Sequence, residues 1–249
     1  MTVRERQSIT TADGVADAWL CRPADAGAWP GVLFFMDGLG VRPTLIDMAS
    51  RLAGQGYVVL LPDLFYRAGP RPPVDAAVVL NDPQQMARLQ TLYQSLDGSL
   101  VMRDTRAYLD HLFAAPGVAG RKAGCVGYCM GGGFALLAAG RYPQEIAAAA
   151  CIHGAGLASD RIDSPHASVS HARGRLYVGV AETDPWLAEG EMERLQSALA
   201  AARIDYQMET YARTQHGFAV EDLPVYDRGA AERHWQQLFD LFGGALAIA

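Results

Sequence analysis

The most reactive arrangement in this 249-residue sequence is Gly127-Tyr-Cys-Met-Gly131, a cysteine held between two glycines. An apolar run over residues 123–126 leads into it, and Gly132, Gly133 and the apolar stretch 134–139 lead away. A strand that turns sharply into a helix strains its apex residue, and neighbours without side chains relieve the crowding. The apex side chain, Cys129, then projects over a helix N-terminus, whose unpaired amides and positive dipole end favour a thiolate. This is a G-x-C-x-G nucleophile elbow, and the chemistry expected is attack by sulfur on a carbonyl carbon. Cys125 and Cys151 lie inside apolar runs and Cys21 lies near the N-terminus, so these three read as small buried hydrophobes.

Such a nucleophile needs a base and an orienting acid, in the chain order nucleophile, acid, histidine. Asp184, in Ala181-Glu-Thr-Asp-Pro-Trp186, comes 55 positions after Cys129, and His216, in Thr214-Gln-His-Gly-Phe218, comes 32 positions later. Glu182 is the second-ranked acid. His153 precedes both acids, which breaks the order, so it is assigned to lining the site or to packing. His166 and His171 lie in a polar segment, and with His153 they match no zinc spacing; no metal site is expected. By the same elbow logic, the backbone amides of Met130 and of Gly38 are expected to donate to an oxyanion.

Strands must carry these residues to a common edge. Apolar runs at residues 31–36, 57–61, 123–127, 147–152 and 176–180, and a more polar one at 206–211, read as strands. Helical spacing groups Leu45, Met48, Ala49 and Leu52; Leu109, Leu112 and Phe113; Leu195, Leu199 and Ala202; and Trp235, Leu238, Phe239 and Phe242. The alternation predicts an α/β fold, a mostly parallel central sheet with helices on both faces, in a single domain over residues 1–249. Ligands bind outside the carboxyl ends of such strands, where Asp37, Asp63, Cys129, His153, Asp184 and His216 all fall. The proline-rich stretch 68–75 reads as an ordered loop beside the site.

At 50% hydrophobic and 19% charged residues, disorder is excluded, and no apolar run approaches the roughly 18 residues of a membrane span. A net charge of −6 without any basic cluster argues against a nucleic-acid partner. Four cysteines are too few for a disulfide scaffold, and the mixed-charge N-terminus lacks a secretory pattern. A cytoplasmic protein with free thiols, monomeric or homodimeric, is expected.

Gly127-Tyr-Cys-Met-Gly-Gly132, Asp184, His216-Gly-Phe218, Phe34-Phe-Met-Asp-Gly-Leu-Gly40 and Leu61-Pro-Asp-Leu-Phe-Tyr66 together resemble the dienelactone hydrolase family of α/β-hydrolases, from Pro30 to about Gly243. The resemblance implies a Cys129-His216-Asp184 triad that opens lactones through a thioester, without a cofactor, on a small-molecule lactone or ester. It implies that Asp37 holds the resting thiol, in the place of a glutamate in family members. It also implies that Arg88 takes the place of the family's helical arginine, whereas the arginine four residues after the histidine is replaced by Val220. Losing one guanidinium fork weakens recognition of a carboxylate by roughly 1.5–3 kcal/mol. Tyr128, Trp186 and Phe218 are expected to touch substrate, and Phe65, Tyr66 and Tyr93 to shape the pocket. The alternatives are a general carboxylesterase or thioesterase with an apolar pocket, and a non-catalytic binder of small ligands.

Overall fold

The strands that carry the candidate residues belong to one eight-stranded sheet in the computed structural model, which describes residues 1–247. Residues 248 and 249, the last of the span expected to form one domain, lie outside the described residues. The strands are β1 (Thr2–Thr11), β2 (Gly14–Pro23), β3 (Trp29–Phe35), β4 (Val58–Pro62), β5 (Val118–Tyr128), β6 (Ile146–Ile152), β7 (Arg175–Thr183) and β8 (Tyr206–Gln215). Their spatial order is β1-β2-β4-β3-β5-β6-β7-β8. From β4 to β8 every neighbouring pair is parallel. All five residues of β4 are buried, as the continuous apolar runs require of strands covered on both faces.

β1 and β2 are not among the strands expected from the apolar runs. They form an antiparallel hairpin that extends the sheet at one edge, with Thr11 opposite Gly14 and Thr2 opposite Pro23. β1 alternates exposed and less exposed residues and carries Arg4, Glu5 and Arg6, so it lacks an apolar run. The available signal was the Asp13-Gly14 pair at the end of the two-residue turn Ala12-Asp13; Gly14, the first residue of β2, has φ 147°.

The helices are α1 (Pro43–Ala53), α2 (Ala76–Val79), α3 (Pro83–Gln94), α4 (Gly98–Ala114), α5 (Met130–Arg141), α6 (Pro165–Ser168), α7 (Glu191–Ala202) and α8 (Arg228–Ala245). Aspartates begin four of them: Asp75, Asp82, Asp97 and Asp227 each accept backbone N–H bonds of the first turn. Two glycines show how closely the layers pack. A Cβ on Gly31 would lie 3.1 Å from Leu112 of α4, and one on Gly124 would lie 2.7 Å from Phe242 of α8. Gly31 pairs with Ala123, the residue before Gly124, so these two helices cover opposite faces. The observed fold is therefore the α/β arrangement expected, with the carboxyl ends of β3 and β5 to β8 at one edge. No helix among the described residues is long and apolar enough to cross a membrane.

Candidate active site

Cys129 stands at the junction of β5 and α5 with φ 55° and ψ −123°, a conformation that L-residues rarely adopt. The glycines around it are sterically required. A Cβ on Gly127 would lie 1.8 Å from the Gly131 carbonyl oxygen, and one on Gly131 would lie 2.4 Å from that of Met36. Replacing Gly127 would push the start of α5 away from the end of β5, and replacing Gly131 would force the elbow away from the end of β3. The Cys129 amide donates to the Ile152 carbonyl at 3.1 Å and to His153 Nδ1 at 3.2 Å, which ties the apex to the end of β6. Cys21, Cys125 and Cys151 are buried, and burial pushes their thiols up, to about 11 for Cys21 and about 12 for Cys151. Cys129 alone among the four is partly exposed.

The structure brings His216 and Asp184 together. Asp184 Oδ2 accepts a hydrogen bond from His216 Nδ1 at 2.7 Å, and its Oδ1 accepts the Trp186 amide at 3.0 Å. Asp184 thus orders its own loop as well as the imidazole, while Glu182 is exposed and bonds the Arg213 amide instead. Burial opposes a charge on His216, but the Asp184 carboxylate and the Cys129 sulfur outweigh it and raise the imidazole to about 9. Its Nε2 has no hydrogen-bond partner among the described residues.

His153 is buried, with φ 37°, and its ring lies edge-on to His216 at 5.1 Å between centroids. Because Nδ1 accepts the Cys129 amide, the neutral ring carries its proton on Nε2. Burial first, and then the neighbouring His216 and His234, hold its pKa well below the usual value. His153 is therefore a neutral prop beneath the elbow.

Beyond β3, Asp37 departs from the expectation. Both of its oxygens are held by Arg42, at 2.7 and 2.9 Å, and Oδ1 also takes the Leu39 amide; it makes no hydrogen bond to Cys129. The same guanidinium holds Asp222 at 2.6 and 2.9 Å. Arg42, 1% exposed, thereby bridges the loop carrying Gly38 to the loop that follows His216. A Cβ on Gly38 would meet nothing within 4 Å, so its backbone borders open space. Neither Arg42 nor Asp222 was singled out from sequence, because their link joins residues 180 positions apart.

A cleft of about 370 Å³ opens beside the elbow, lined by Met130, Phe134, Leu137, Tyr93, Arg161 and Pro165 among others. It is closed on one side by the turn between α3 and α4 and on another by the 155–165 loop. Partial burial, and then a charge on Cys129, raise the Tyr93 hydroxyl's pKa.

Comparison with known proteins accords with this geometry. The model of the dienelactone hydrolase family matches residues 16–246. The chain belongs to that family. A carboxymethylenebutenolidase from Rhodococcus opacus is 26% identical, with 92% of this chain and 87% of that protein covered. A Klebsiella pneumoniae structure described as a dienelactone hydrolase superposes with TM-score 0.84 at 21% identity, covering 98% of this chain and 99% of the other. A dienelactone hydrolase-like promiscuous phosphotriesterase from metagenomic libraries superposes at 0.80 and 23% identity, each chain 98% covered. The dienelactone hydrolase family names place this chain among hydrolytic enzymes of the α/β-hydrolase fold.

Within the dienelactone hydrolase framework, several expected contacts fall elsewhere. Tyr128 is fully buried, stacks on Phe34 and shares a 3.0 Å hydrogen bond with His234, because the last residue of β5 points into the α8 layer rather than toward the cleft. Phe218 is also fully buried, against Tyr211 and His153. Arg88 is exposed on α3 and absent from the cleft wall. Val220 is fully buried. Trp186 is 61% exposed, with its ring 6.3 Å from that of His216, so it flanks the site. Of the pocket aromatics, Tyr93 lines the cleft, whereas Phe65 is buried and Tyr66 bonds Thr11 and Asp104. The proline-rich loop is ordered as expected, through the Arg71–Asp63 pair at 2.8 Å.

Proposed function

We propose that this dienelactone hydrolase relative hydrolyses lactones or activated esters with Cys129 as the nucleophile. His216 carries the proton, Asp184 orients it, and the Met130 and Gly38 amides receive the oxyanion. The observation that carries the reading is the His216 imidazole, hydrogen-bonded to Asp184 and raised to about 9 by Asp184 and Cys129 against its burial. Such an imidazole takes the thiol proton. The sulfur adds to the carbonyl carbon, and the C=O electron pair moves to the oxygen, which meets the first amide of α5, free of an intrahelical acceptor, and the Gly38 amide of the loop after β3. Collapse of the adduct breaks the carbon–oxygen bond, His216 protonates the departing oxygen, and a thioester remains.

The second half uses the same residue in reverse. Once sulfur is bound in a thioester it carries no charge, so part of what raised His216 disappears. The imidazole becomes a better base at neutral pH, removes a proton from water, and the attack of that water expels the thiolate. Because thiolates are good leaving groups, the first step proceeds best when the departing oxygen is stabilised, as in an enol lactone or aryl ester. A cytoplasmic address belongs to the same reading, since four free cysteines suit a reducing compartment.

Cys129→Ala should lose turnover of both an enol lactone and an aryl ester, while Cys129→Ser retains a trace and trapping of the wild type yields one acyl group on Cys129. Full activity in Cys129→Ala would refute the assignment.

A further inference from the structure

Two glycines share the turn that follows β3, and the backbone explains only one of them. The turn runs from Asp37 to Gly40: the Gly40 amide donates to the Asp37 carbonyl at 3.1 Å, and the Leu39 amide donates to Asp37 Oδ1 at 2.9 Å. Gly40 has φ 86°, in the left-handed region that favours glycine. Neither central residue, Gly38 or Leu39, has a positive φ, which excludes the turn types that demand glycine at position 38. Packing does not demand it either, since a Cβ there would meet nothing within 4 Å. A glycine that alanine could replace without strain only adds freedom to the unfolded chain. Its small size is therefore of use to something that enters the space.

That space adjoins the elbow. Met36, two residues before Gly38, packs its carbonyl oxygen so closely on α5 that a Cβ on Gly131 would lie 2.4 Å from it. Arg42 fixes the turn from behind, through both oxygens of Asp37 and the Gly40 carbonyl at 3.2 Å, and ties it to Asp222. The Gly38 amide donates to no acceptor among the described residues, which leaves it free for an oxyanion. A carbonyl oxygen received by that amide brings its carbon to within about 4 Å of the amide nitrogen. The leaving oxygen must face His216, which protonates it, so the acyl side of the substrate lies toward residue 38.

We propose that Gly38 is a specificity-determining residue: the open space over its Cα receives a branch on the carbon next to the reacting carbonyl, so the enzyme takes α-branched acyl esters and α-substituted lactones. The inference rests on the cysteine-hydrolase reading above, and it names the substrate class of that site.

Two aryl esters test it, 4-nitrophenyl acetate and 4-nitrophenyl isobutyrate, which share a leaving group and differ only by branching beside the carbonyl. The wild-type kcat/KM ratio of isobutyrate to acetate should be no lower than the ratio of their rates with hydroxide, which has no pocket. Gly38→Ala should lower the enzymatic ratio at least about tenfold, the scale of one methyl group misplaced in a fitted pocket. The same variant should unfold in urea at a midpoint no lower than that of the wild type, because the turn admits alanine and its Cβ strikes nothing. A ratio unchanged by Gly38→Ala, or a lowered midpoint, overturns the proposal. Where the variant cleaves neither ester, the wild type decides alone, and a ratio below that of hydroxide overturns the proposal. Cys129→Ala separates the two levels: cleavage surviving in that variant overturns the nucleophile assignment, whatever the acyl preference.

Discussion

Replacing Arg42 with methionine tests how the site is held together. The methionine keeps most of the side-chain length while deleting five hydrogen bonds: two to Asp37, two to Asp222 and one to the Gly40 carbonyl. The two carboxylates respond differently. The Asp222 side chain is 27% exposed and can rehydrate, whereas Asp37 is 5% exposed and keeps only the Leu39 amide. The penalty therefore falls chiefly on Asp37, a buried charge stripped of its partner, for which about 3–5 kcal/mol is the usual cost. That is a large part of the roughly 5–15 kcal/mol that holds a domain folded. Urea denaturation at pH 7 should show the loss as a lower midpoint at unchanged slope. The double variant Asp37→Asn/Arg42→Met should regain at least about 2 kcal/mol, because no buried charge is then left alone. Turnover should fall in the single variant even where it is fully folded, since Arg42 joins the Gly38 loop to the loop after His216. A loss below about 1 kcal/mol, or no recovery in the double variant, would refute the assignment of Arg42 as an internal brace.

Three further outcomes follow from the elbow and its histidine. Gly131→Ala should destabilise by about 1–3 kcal/mol or more, because its Cβ would meet backbone carbonyls at 2.4 and 2.6 Å, while Gly133→Ala, whose nearest neighbour is Pro165 at 3.4 Å, should be neutral or slightly stabilising in the same melts. His216, raised from 6.5 to about 9, contributes stability that is fully present below about pH 6.5 and is lost as pH rises through about 9. The stability difference between wild type and His216→Gln should accordingly shrink from pH 6.5 to pH 10, and a flat or growing difference would contradict the charge assigned to the ring. Titration with a thiol reagent should label one cysteine in the native protein and four in denaturant, since only Cys129 is not buried.

Much of the site was legible because its determinants are local. The elbow needs glycines at fixed offsets from the nucleophile, and the steric distances around Gly127 and Gly131 show why no other residue fits. Asp184 and His216 were singled out because each follows a strand, apolar before Asp184 and more polar before His216, and the ends of parallel strands share one sheet edge. The residues misread were those whose environment depends on layers packed from elsewhere in the chain. Tyr128 adjoins the nucleophile in sequence, yet its ring belongs to the α8 layer with His234. Phe218 follows His216 by two positions and is wholly enclosed by Tyr211 and His153. The first hairpin escaped notice because an edge strand solvated on one side has no continuous apolar run.

The sequence by itself determined the α/β class, the segments that form the parallel strands, the glycine elbow around Cys129 and the candidate acid and histidine that follow it, because periodicity and glycine spacing are properties of short segments. Only the tertiary structure decided what each charge faces: Asp37 turned to Arg42 instead of the thiol, Arg42 shared with Asp222, His153 neutral beneath the elbow. Electrostatic partnerships act across space between segments far apart in the chain, and the energy of a buried charge depends on which partner arrives.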